Sequence, residues 1–138
     1  MLMTIAQKLV VPYVQNRTTA VVLGLLGLAA VHVMDLPGKW TETPYLAFAY
    51  IGIIAVTVIL VESLIKRVTK AAFMASFGLA LAVIVGYVIN RTVGMPGSMG
   101  DIGNWFEPLG LLSLGVEAFL AWNAFAAFHA LRHAQATA

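Results

Sequence analysis

The sequence has no cysteine, and charged residues make up only 10% of its 138 positions. Without cysteine, the chain has no disulfide framework, no thiolate metal site and no dithiol redox pair. Soluble domains carry about 25% charged residues, so eight basic and six acidic side chains are too few to cover a soluble chain of this length. Because 61% of the residues are hydrophobic and the mean hydropathy is +0.91, the composition excludes a disordered tail, a nucleic-acid binder and an ordinary soluble domain. It indicates a membrane protein.

Motifs of covalent and phosphate chemistry are also absent from the sequence. It contains no glycine-rich phosphate loop, no serine nucleophile elbow and no His-Glu-x-x-His zinc helix. It also lacks the two facing, centrally placed histidines that a b-type haem between helices would need. We therefore expect no catalytic activity from this chain by itself.

Four apolar segments are long enough to span a membrane, which takes about 20 residues. The predicted spans cover residues 18–36, 44–63, 71–90 and 108–130, with boundary errors of about 2–4 residues. Turn-rich or charged stretches separate them at Asp35–Lys39, Lys66–Lys70 and Gly94–Gly100. The sequence therefore predicts an all-α integral membrane four-helix bundle that forms a single domain over residues 1–138.

The first seventeen residues are too polar for a span but show a helical pattern. Apolar side chains recur at Leu2, Ile5, Leu9 and Tyr13, while polar side chains occupy other faces at Gln7, Lys8 and Gln15. This pattern predicts a short N-terminal amphipathic helix that lies on the membrane surface.

The basic residues fall unequally on the two sides of the predicted spans. Lys8, Arg17, Lys66, Arg67, Lys70 and Arg132 lie on one side, whereas Lys39 and Arg91 lie on the other. Basic residues are enriched in cytoplasmic loops, so both termini are predicted to be cytoplasmic. An aromatic belt is then expected at the outer interface, formed by Trp40, Tyr45, Trp105 and Phe106.

Small residues recur at helical spacing in two spans. Gly24 and Gly27 lie in the first, and Gly78, Ala82 and Gly86 form a stripe in the third. Such stripes let helix backbones approach closely. They predict packing within the bundle, with a docking face for a partner subunit as the alternative.

Four of the six acids lie on the predicted outer side, close to a histidine. His32 and Asp35 share one helix face, and Glu42 follows after a short stretch. With Asp101 or Glu107 from the other outer loop, they form a candidate metal site of nitrogen and oxygen ligands. Soft ligands on the same side would favour copper: Met34, Met95 and Met99. The alternative is a histidine satisfied by a neighbouring carboxylate, with the loop acids in water.

Glu117 lies about nine residues into the fourth span. A charged carboxylate near mid-membrane costs roughly 2.5–3.5 kcal/mol on insertion scales. Glu117 must therefore face protein, be protonated or be paired, with Ser113, Ala121 and Ala124 on its helix face. The hypotheses are a proton site, a cation or metal site, or a protonated carboxyl that forms a hydrogen bond across the bundle.

Two further polar residues need partners within the bundle. Arg91, at the outer end of the third span, is expected to pair with Asp101 or Glu107 as a structural clamp. Asn123 lies inside the fourth span, so we expect a hydrogen-bond partner for it on a neighbouring helix.

Two stretches of the sequence carry a resemblance to a known group of proteins. The first is His32–Pro37 (HVMDLP) followed by Glu42–Leu46 (ETPYL), and the second is Arg91–Gly97 (RTVGMPG) with Asp101–Gly110 (DIGNWFEPLG) and Glu117. Over residues 18–130 the chain resembles small uncharacterised bacterial four-transmembrane-helix membrane proteins. The resemblance implies four spans and a place in the bacterial cytoplasmic (inner) membrane, and it supplies no activity or catalytic residues.

Three functions are compatible with these observations. We expect a non-catalytic accessory and stabilising subunit of a larger bacterial membrane complex, of the respiratory or copper-dependent oxidoreductase kind. The alternatives are a stand-alone copper- or other metal-binding protein that uses the outer-face site, and a small proton-coupled exporter that uses Glu117. The expected partners are the lipid bilayer and other membrane protein subunits, and copper is the one cofactor that the metal-binding alternative suggests.

Overall fold

The structure, a computed structural model, describes the backbone of residues 5–136 and the side chains of residues 10–134. It contains the helices α1 (Ile5–Glu42), α2 (Pro44–Lys66), α3 (Lys70–Thr92) and α4 (Pro108–Ala136), and one 3₁₀ turn at Met99–Asp101. Over this part of the chain there is no β-strand, and all four helices are long and apolar enough to cross a membrane. The predicted all-α membrane four-helix bundle is therefore confirmed.

The first helix is longer than the sequence indicated. No break separates the predicted amphipathic helix from the first span, because α1 runs without interruption for 38 residues, a length of about 57 Å. Leu2 lies outside the described residues, as do the side chains of Ile5, Gln7, Lys8 and Leu9. The part of this prediction that the structure reaches is helical, but it is the start of α1 and not a separate element.

Helix α1 also continues through Asp35–Lys39, where the sequence predicted the end of the first span. Pro37 lies inside the helix, where it removes one intrahelical hydrogen bond without requiring a break. Helix α1 ends at Glu42, and the next residue, Thr43, has left the helical conformation (φ −145°, ψ 77°), because Pro44 disfavours that conformation in the residue before it. Pro44, which follows the helix, therefore ends it, whereas Pro12 and Pro37 within the helix do not.

Two glycines let α1 approach α4 closely. A Cβ atom at Gly24 would lie 3.1 Å from Leu120 Cβ, and one at Gly27 would lie 3.1 Å from Val116 Cγ1. Helix α1 packs against both α2 and α4, and α3 packs against α4, whereas α2 and α3 meet only sparsely. The bundle therefore has a tightly packed α1–α4 centre and an open side between α2 and α3.

The small-residue stripe of α3 has a different environment from that of α1. A Cβ atom added at Gly78 or Gly86 would meet no atom of another helix within 4 Å. The prediction of close packing within the bundle is correct for Gly24 and Gly27 and wrong for this stripe. Ala82 and Gly86 line the space between α2 and α3, and Gly78 is exposed.

The loop of residues 93–107 folds back over one end of the bundle, which we call the loop end. Gly94 starts the reversal with a φ of +83°, and a Cβ atom there would lie 2.8 Å from Met99 Sδ. Gly103 then returns to α3, where its backbone N–H donates to Arg91 O at 2.9 Å. The predicted aromatic belt also lies at this end, and all four of its side chains are exposed: Trp40, Tyr45, Trp105 and Phe106.

We expect the substitution Gly24→Val to lower the melting temperature of the purified protein in detergent. Overpacking of a tight contact costs about 1–3 kcal/mol, and the Gly24 Cβ position already touches Leu120. The control is Gly52→Val on α2, where a Cβ atom meets nothing within 4 Å. Both variants introduce the same β-branched residue, so equal melting temperatures would contradict a close α1–α4 contact at Gly24.

Candidate functional site

A cavity of about 440 Å³ lies between α2 and α3 at the loop end of the bundle. Its walls are mostly apolar and include Leu46, Ile53, Leu79, Val83 and Leu109. Its polar side chains come from α1, α2, α3, the loop and α4: His32, Asp35, Lys39, Tyr50, Tyr87, Asn90, Arg91, Asp101, Glu107 and Ser113. Ligand sites in proteins have volumes of about 300–1,000 Å³ and combine apolar walls with a few polar groups, so this cavity is the candidate functional site.

Arg91 joins the two loop acids at one end of the cavity. Its Nη1 lies 3.0 Å from Asp101 Oδ1, and its Nη2 lies 3.4 Å from Glu107 Oε2. The guanidinium also stacks over the Tyr87 ring at 5.1 Å. Only 7% of Arg91 is exposed, so a charge at this depth needs these partners. The predicted Arg91 clamp is confirmed, and it uses both of the acids proposed for it.

Asp101 gathers donors from three segments of the chain. Asn90 Nδ2 donates to its Oδ2 at 2.8 Å, and Ser98 Oγ donates to the same oxygen at 2.6 Å. Lys39 Nζ approaches Oδ2 to 3.9 Å from α1. The carboxylate therefore fixes the loop to α3 and lies close to the end of α1.

Glu107 is the link between the loop and α4. Its Oε1 accepts from Leu109 N at 3.0 Å, and its Oε2 accepts from Gly110 N at 2.7 Å. These are backbone donors of the first turn of α4, which have no partner within the helix. Glu107 therefore caps α4 while it holds Arg91.

A second polar cluster, formed by His32, Asp35 and Tyr50, lines the cavity from α1 and α2. The Tyr50 hydroxyl donates to Asp35 Oδ2 at 2.9 Å. The rings of His32 and Tyr50 meet edge to face with centroids 4.7 Å apart. His32 Nδ1 lies 2.9 Å from Leu28 O, and since a carbonyl only accepts, Nδ1 is the donor. The cluster therefore has a fixed histidine orientation.

Asp35 has no cation beside it among the described side chains. Lys39, one turn further along α1, extends to Glu42 at 3.7 Å and to Asp101 at 3.9 Å. Arg91 is held by the loop acids. The negative charge of Asp35 is thus supported only by the Tyr50 hydroxyl.

The five predicted metal ligands do not form one site. Asp101 and Glu107 hold Arg91, Asp35 accepts from Tyr50, and Glu42 pairs with Lys39 at the surface. Within residues 10–134, no group of three or more His, Asp or Glu side chains is placed to hold a metal ion. The copper and metal-site hypothesis gains no geometric support there. His32 and Asp35, which were predicted to share one helix face, do both line the cavity.

Glu117 is fully buried below the cavity. Its Oε1 accepts from Ser113 Oγ at 2.5 Å, and its Oε2 has no hydrogen-bond partner among the described residues. Ser113 also lines the cavity. Glu117 is therefore connected to the cavity through one side chain of its own helix, and the predicted hydrogen bond across the bundle is not seen.

Asn123 has the predicted partner on a neighbouring helix. Its Oδ1 accepts from Arg17 Nη1 at 2.7 Å, and its Nδ2 donates to Phe119 O at 2.8 Å. This contact ties α1 to α4 near the end of the bundle opposite the loop. It is remote from the cavity, so we assign it to the packing of α1 on α4.

Sequence reasoning overlooked Tyr50 and Tyr87 as site residues. Both line the cavity: Tyr50 contacts His32 and Asp35, and Tyr87 stacks on Arg91 and donates to Trp105 O at 2.9 Å. A signal was present, because each is a polar hydroxyl inside an apolar span and buried tyrosine hydroxyls usually have a partner.

Asp101 should make the stability of the protein depend on acid pH. Burial alone would raise the pKa of Asp101, but hydrogen bonds from Ser98 and Asn90 and the charges of Lys39 and Arg91 lower it below its ordinary value. A lowered carboxyl pKa stabilises the fold above the unfolded-state value of about 4, and this contribution disappears as the pH falls through the folded-state value. We expect the melting temperature in detergent to fall as the pH is lowered from about 5 to 3.

The matched variants are Asp101→Asn and Glu62→Gln. Asp101→Asn should cost about 1 kcal/mol at pH 7 and should flatten the acid dependence. Glu62→Gln removes an exposed acid paired with Lys66 and should leave both unchanged. An Asp101→Asn protein that keeps the full acid dependence would contradict this assignment.

Glu117 should hold a proton at neutral pH, because it is fully buried and no cation neighbours it among the described residues. Infrared spectra of the unaltered protein are expected to show a protonated carboxyl band. Glu117→Gln should remove this band, whereas Glu62→Gln should keep it. A missing band, or one that survives Glu117→Gln, would show that Glu117 is ionised.

Comparison with known proteins adds no identity to this geometry. No protein-family model, no curated protein and no solved structure matches the chain. The resemblance to small bacterial four-helix membrane proteins stays a prediction, and the cavity is the feature that bears on function.

Proposed function

We propose that the chain is a non-catalytic subunit of a bacterial membrane complex and that it binds an amphiphilic small molecule in the cavity between α2 and α3. The observation that carries this proposal is the cavity itself, which has apolar walls along the helices and a polar end beneath the loop. A ligand with an apolar tail and a polar head matches both parts. Such a ligand would bind without any covalent step.

Access to the cavity supports a ligand that comes from the membrane. Helices α2 and α3 meet only sparsely, and the residues that line the cavity between them include Ala49, Ala82 and Gly86. Ala49 and Ala82 are exposed, and their side chains are too small to close the gap. An amphiphile could therefore enter sideways from the lipid, tail and head together.

The polar groups support binding more than catalysis. No hydroxyl of the described residues donates to His32, and the serine hydroxyls that meet carboxylates are those of Ser98, at Asp101, and Ser113, at Glu117. An activated nucleophile needs a base that is free to take its proton. Asp101 is held in an ion pair with Arg91, and Glu117 is fully buried. Neither carboxylate is therefore placed to activate its serine, which favours a structural or binding role for both pairs.

The basic residues support one orientation of the chain in the membrane. The end of the bundle opposite the loop carries Arg17, Lys66, Arg67, Lys70 and Arg132, and the loop end carries Lys39 and Arg91. The positive-inside rule supports cytoplasmic termini in the bacterial inner membrane. The cavity then opens in the outer half of the membrane, towards other membrane subunits and the outer leaflet.

A proton-coupled exporter is the second candidate. The observation that favours it is the contact of Ser113 with both the cavity and Glu117, which places a protonatable carboxyl one side chain away from a bound ligand. Transport would require Glu117 to exchange its proton with the cavity. Proton-driven efflux from vesicles should therefore be lost in Glu117→Gln, and efflux that is insensitive to this substitution would contradict the candidate.

The cavity can be filled by one substitution. Gly86 lines the cavity and has open space around its Cβ position, so Gly86→Leu should reduce its volume without a clash. Gly78 on the same helix has the same open surroundings but does not line the cavity, which makes Gly78→Leu the matched control. We expect the unaltered chain and Gly78→Leu, purified in mild detergent, to carry a stoichiometric amphiphile that mass spectrometry detects, and Gly86→Leu to lose it.

The same preparation tests both parts of the proposal. A subunit of a larger complex should migrate as a particle much larger than a monomer, with other membrane proteins present in fixed ratio. A stable monomer or homodimer would contradict the subunit role. A Gly86→Leu protein that retains as much amphiphile as Gly78→Leu would contradict binding in the cavity.

A further inference from the structure

His32 presents a hydrogen-bond acceptor to the cavity. Only 4% of the residue is exposed, and Nδ1 donates to Leu28 O, so Nε2 is the acceptor of the neutral imidazole. No described residue forms a hydrogen bond with Nε2, and this atom keeps some accessible surface. Because His32 lines the cavity, the accessible surface of Nε2 lies in the cavity.

Asp35 and Tyr50 add further acceptors beside it. The Tyr50 hydroxyl gives its proton to Asp35 Oδ2 and keeps lone pairs on its own oxygen. Asp35 Oδ1 has no hydrogen-bond partner among the described residues. The two donors of the cluster, His32 Nδ1 and the Tyr50 hydroxyl, are therefore engaged within the protein. What the cluster of His32, Asp35 and Tyr50 offers to a ligand is acceptors.

The charges around the cavity favour a cation over an anion. With His32 neutral, the lining side chains carry three negative charges, on Asp35, Asp101 and Glu107, and two positive charges, on Lys39 and Arg91. Both cations are paired with acids already. The unpaired charge is the carboxylate of Asp35, and an opposite charge within a few ångström of it would be attracted strongly in this partly buried place.

We propose that the cavity binds the protonated primary amine of an amphiphile at His32, Asp35 and Tyr50. This inference rests on the proposed function and specifies the head group of its ligand. An –NH₃⁺ head has three N–H donors and one positive charge, which matches one carboxylate and two neutral acceptors. The alkyl tail lies along the apolar walls towards the gap between α2 and α3.

Other head groups satisfy fewer of these groups. A quaternary ammonium has the charge but no N–H donor, so Nε2 and Oδ1 stay without hydrogen bonds. An alcohol offers one donor and no charge. A phosphate or sulfate head would place a negative charge beside Asp35, which is unfavourable in a site of low dielectric.

Four short probes separate these possibilities: octylamine, octyltrimethylammonium, octanol and octyl sulfate. We expect calorimetric titration of the full chain, in nanodiscs of phosphatidylcholine at pH 7, to show octylamine binding at least tenfold more tightly than the other three. Empty nanodiscs correct for partition into the lipid. Equal affinities of the three uncharged or cationic probes, or tightest binding of octyl sulfate, would overturn the amine assignment.

Two substitutions with a matched control locate the head group. Asp35→Asn keeps an acceptor for Tyr50 but removes the charge, so octylamine affinity should fall at least tenfold while octanol affinity changes little. Lys39→Gln should raise octylamine affinity several-fold, because it removes a neighbouring positive charge. Glu42→Gln removes an exposed acid that pairs with Lys39 but does not itself line the cavity. It should change octylamine affinity by less than either of these variants.

The outcomes distinguish this inference from the function on which it rests. If all probes bind and Gly86→Leu abolishes their binding, but Asp35→Asn leaves octylamine unaffected, the cavity binds amphiphiles and the amine assignment is wrong. If no probe binds to the unaltered chain, both proposals fail. The ranking of probes on the unaltered chain remains decisive even if Asp35→Asn does not fold.

Discussion

The close contact of α1 with α4 at Gly24 and Gly27 determines where the other helices lie. Because α1 and α4 meet closely at glycines, each of them has another face on which one further helix packs: α2 packs on α1, and α3 packs on α4. The two outer helices are therefore not packed against each other along their length. The cavity between them is a consequence of this arrangement and does not need any residue that holds α2 and α3 apart.

The Arg91 clamp then gives this open space a polar end. Arg91 binds both Asp101 and Glu107, and Glu107 in turn caps α4, so one buried guanidinium connects α3, the loop and α4. Its positive charge is neutralised by these contacts. On the opposite wall of the cavity, Asp35 has only the Tyr50 hydroxyl as its partner. The cavity therefore prefers a cation, because the charge of Arg91 is already paired and that of Asp35 is not.

The spans and the clamp could be predicted from the sequence, since both are governed by the cost of polar groups in an apolar environment. An arginine at the end of an apolar span needs acids, and Asp101 and Glu107 were the acids near it. The cavity could not be predicted in this way. Gly24 and Gly27 in α1 resemble Gly78 and Gly86 in α3 as patterns, yet only the first pair touches another helix, because spacing shows which residues share a face and not which helix that face meets. The same limit hid Tyr50, which reaches Asp35 from a different helix.

Asp35 and Glu117, the two carboxyls without a cation beside them among the side chains of residues 10–134, differ in what surrounds them. Asp35 lines the cavity, and an ion that enters can neutralise it. Glu117 is fully buried, with Ser113 between it and the cavity, so the proton is the one cation that reaches it without opening the bundle. The head-group site and the buried carboxyl are therefore distinct: a ligand in the cavity can contact Asp35 directly, whereas it meets Glu117 only through Ser113.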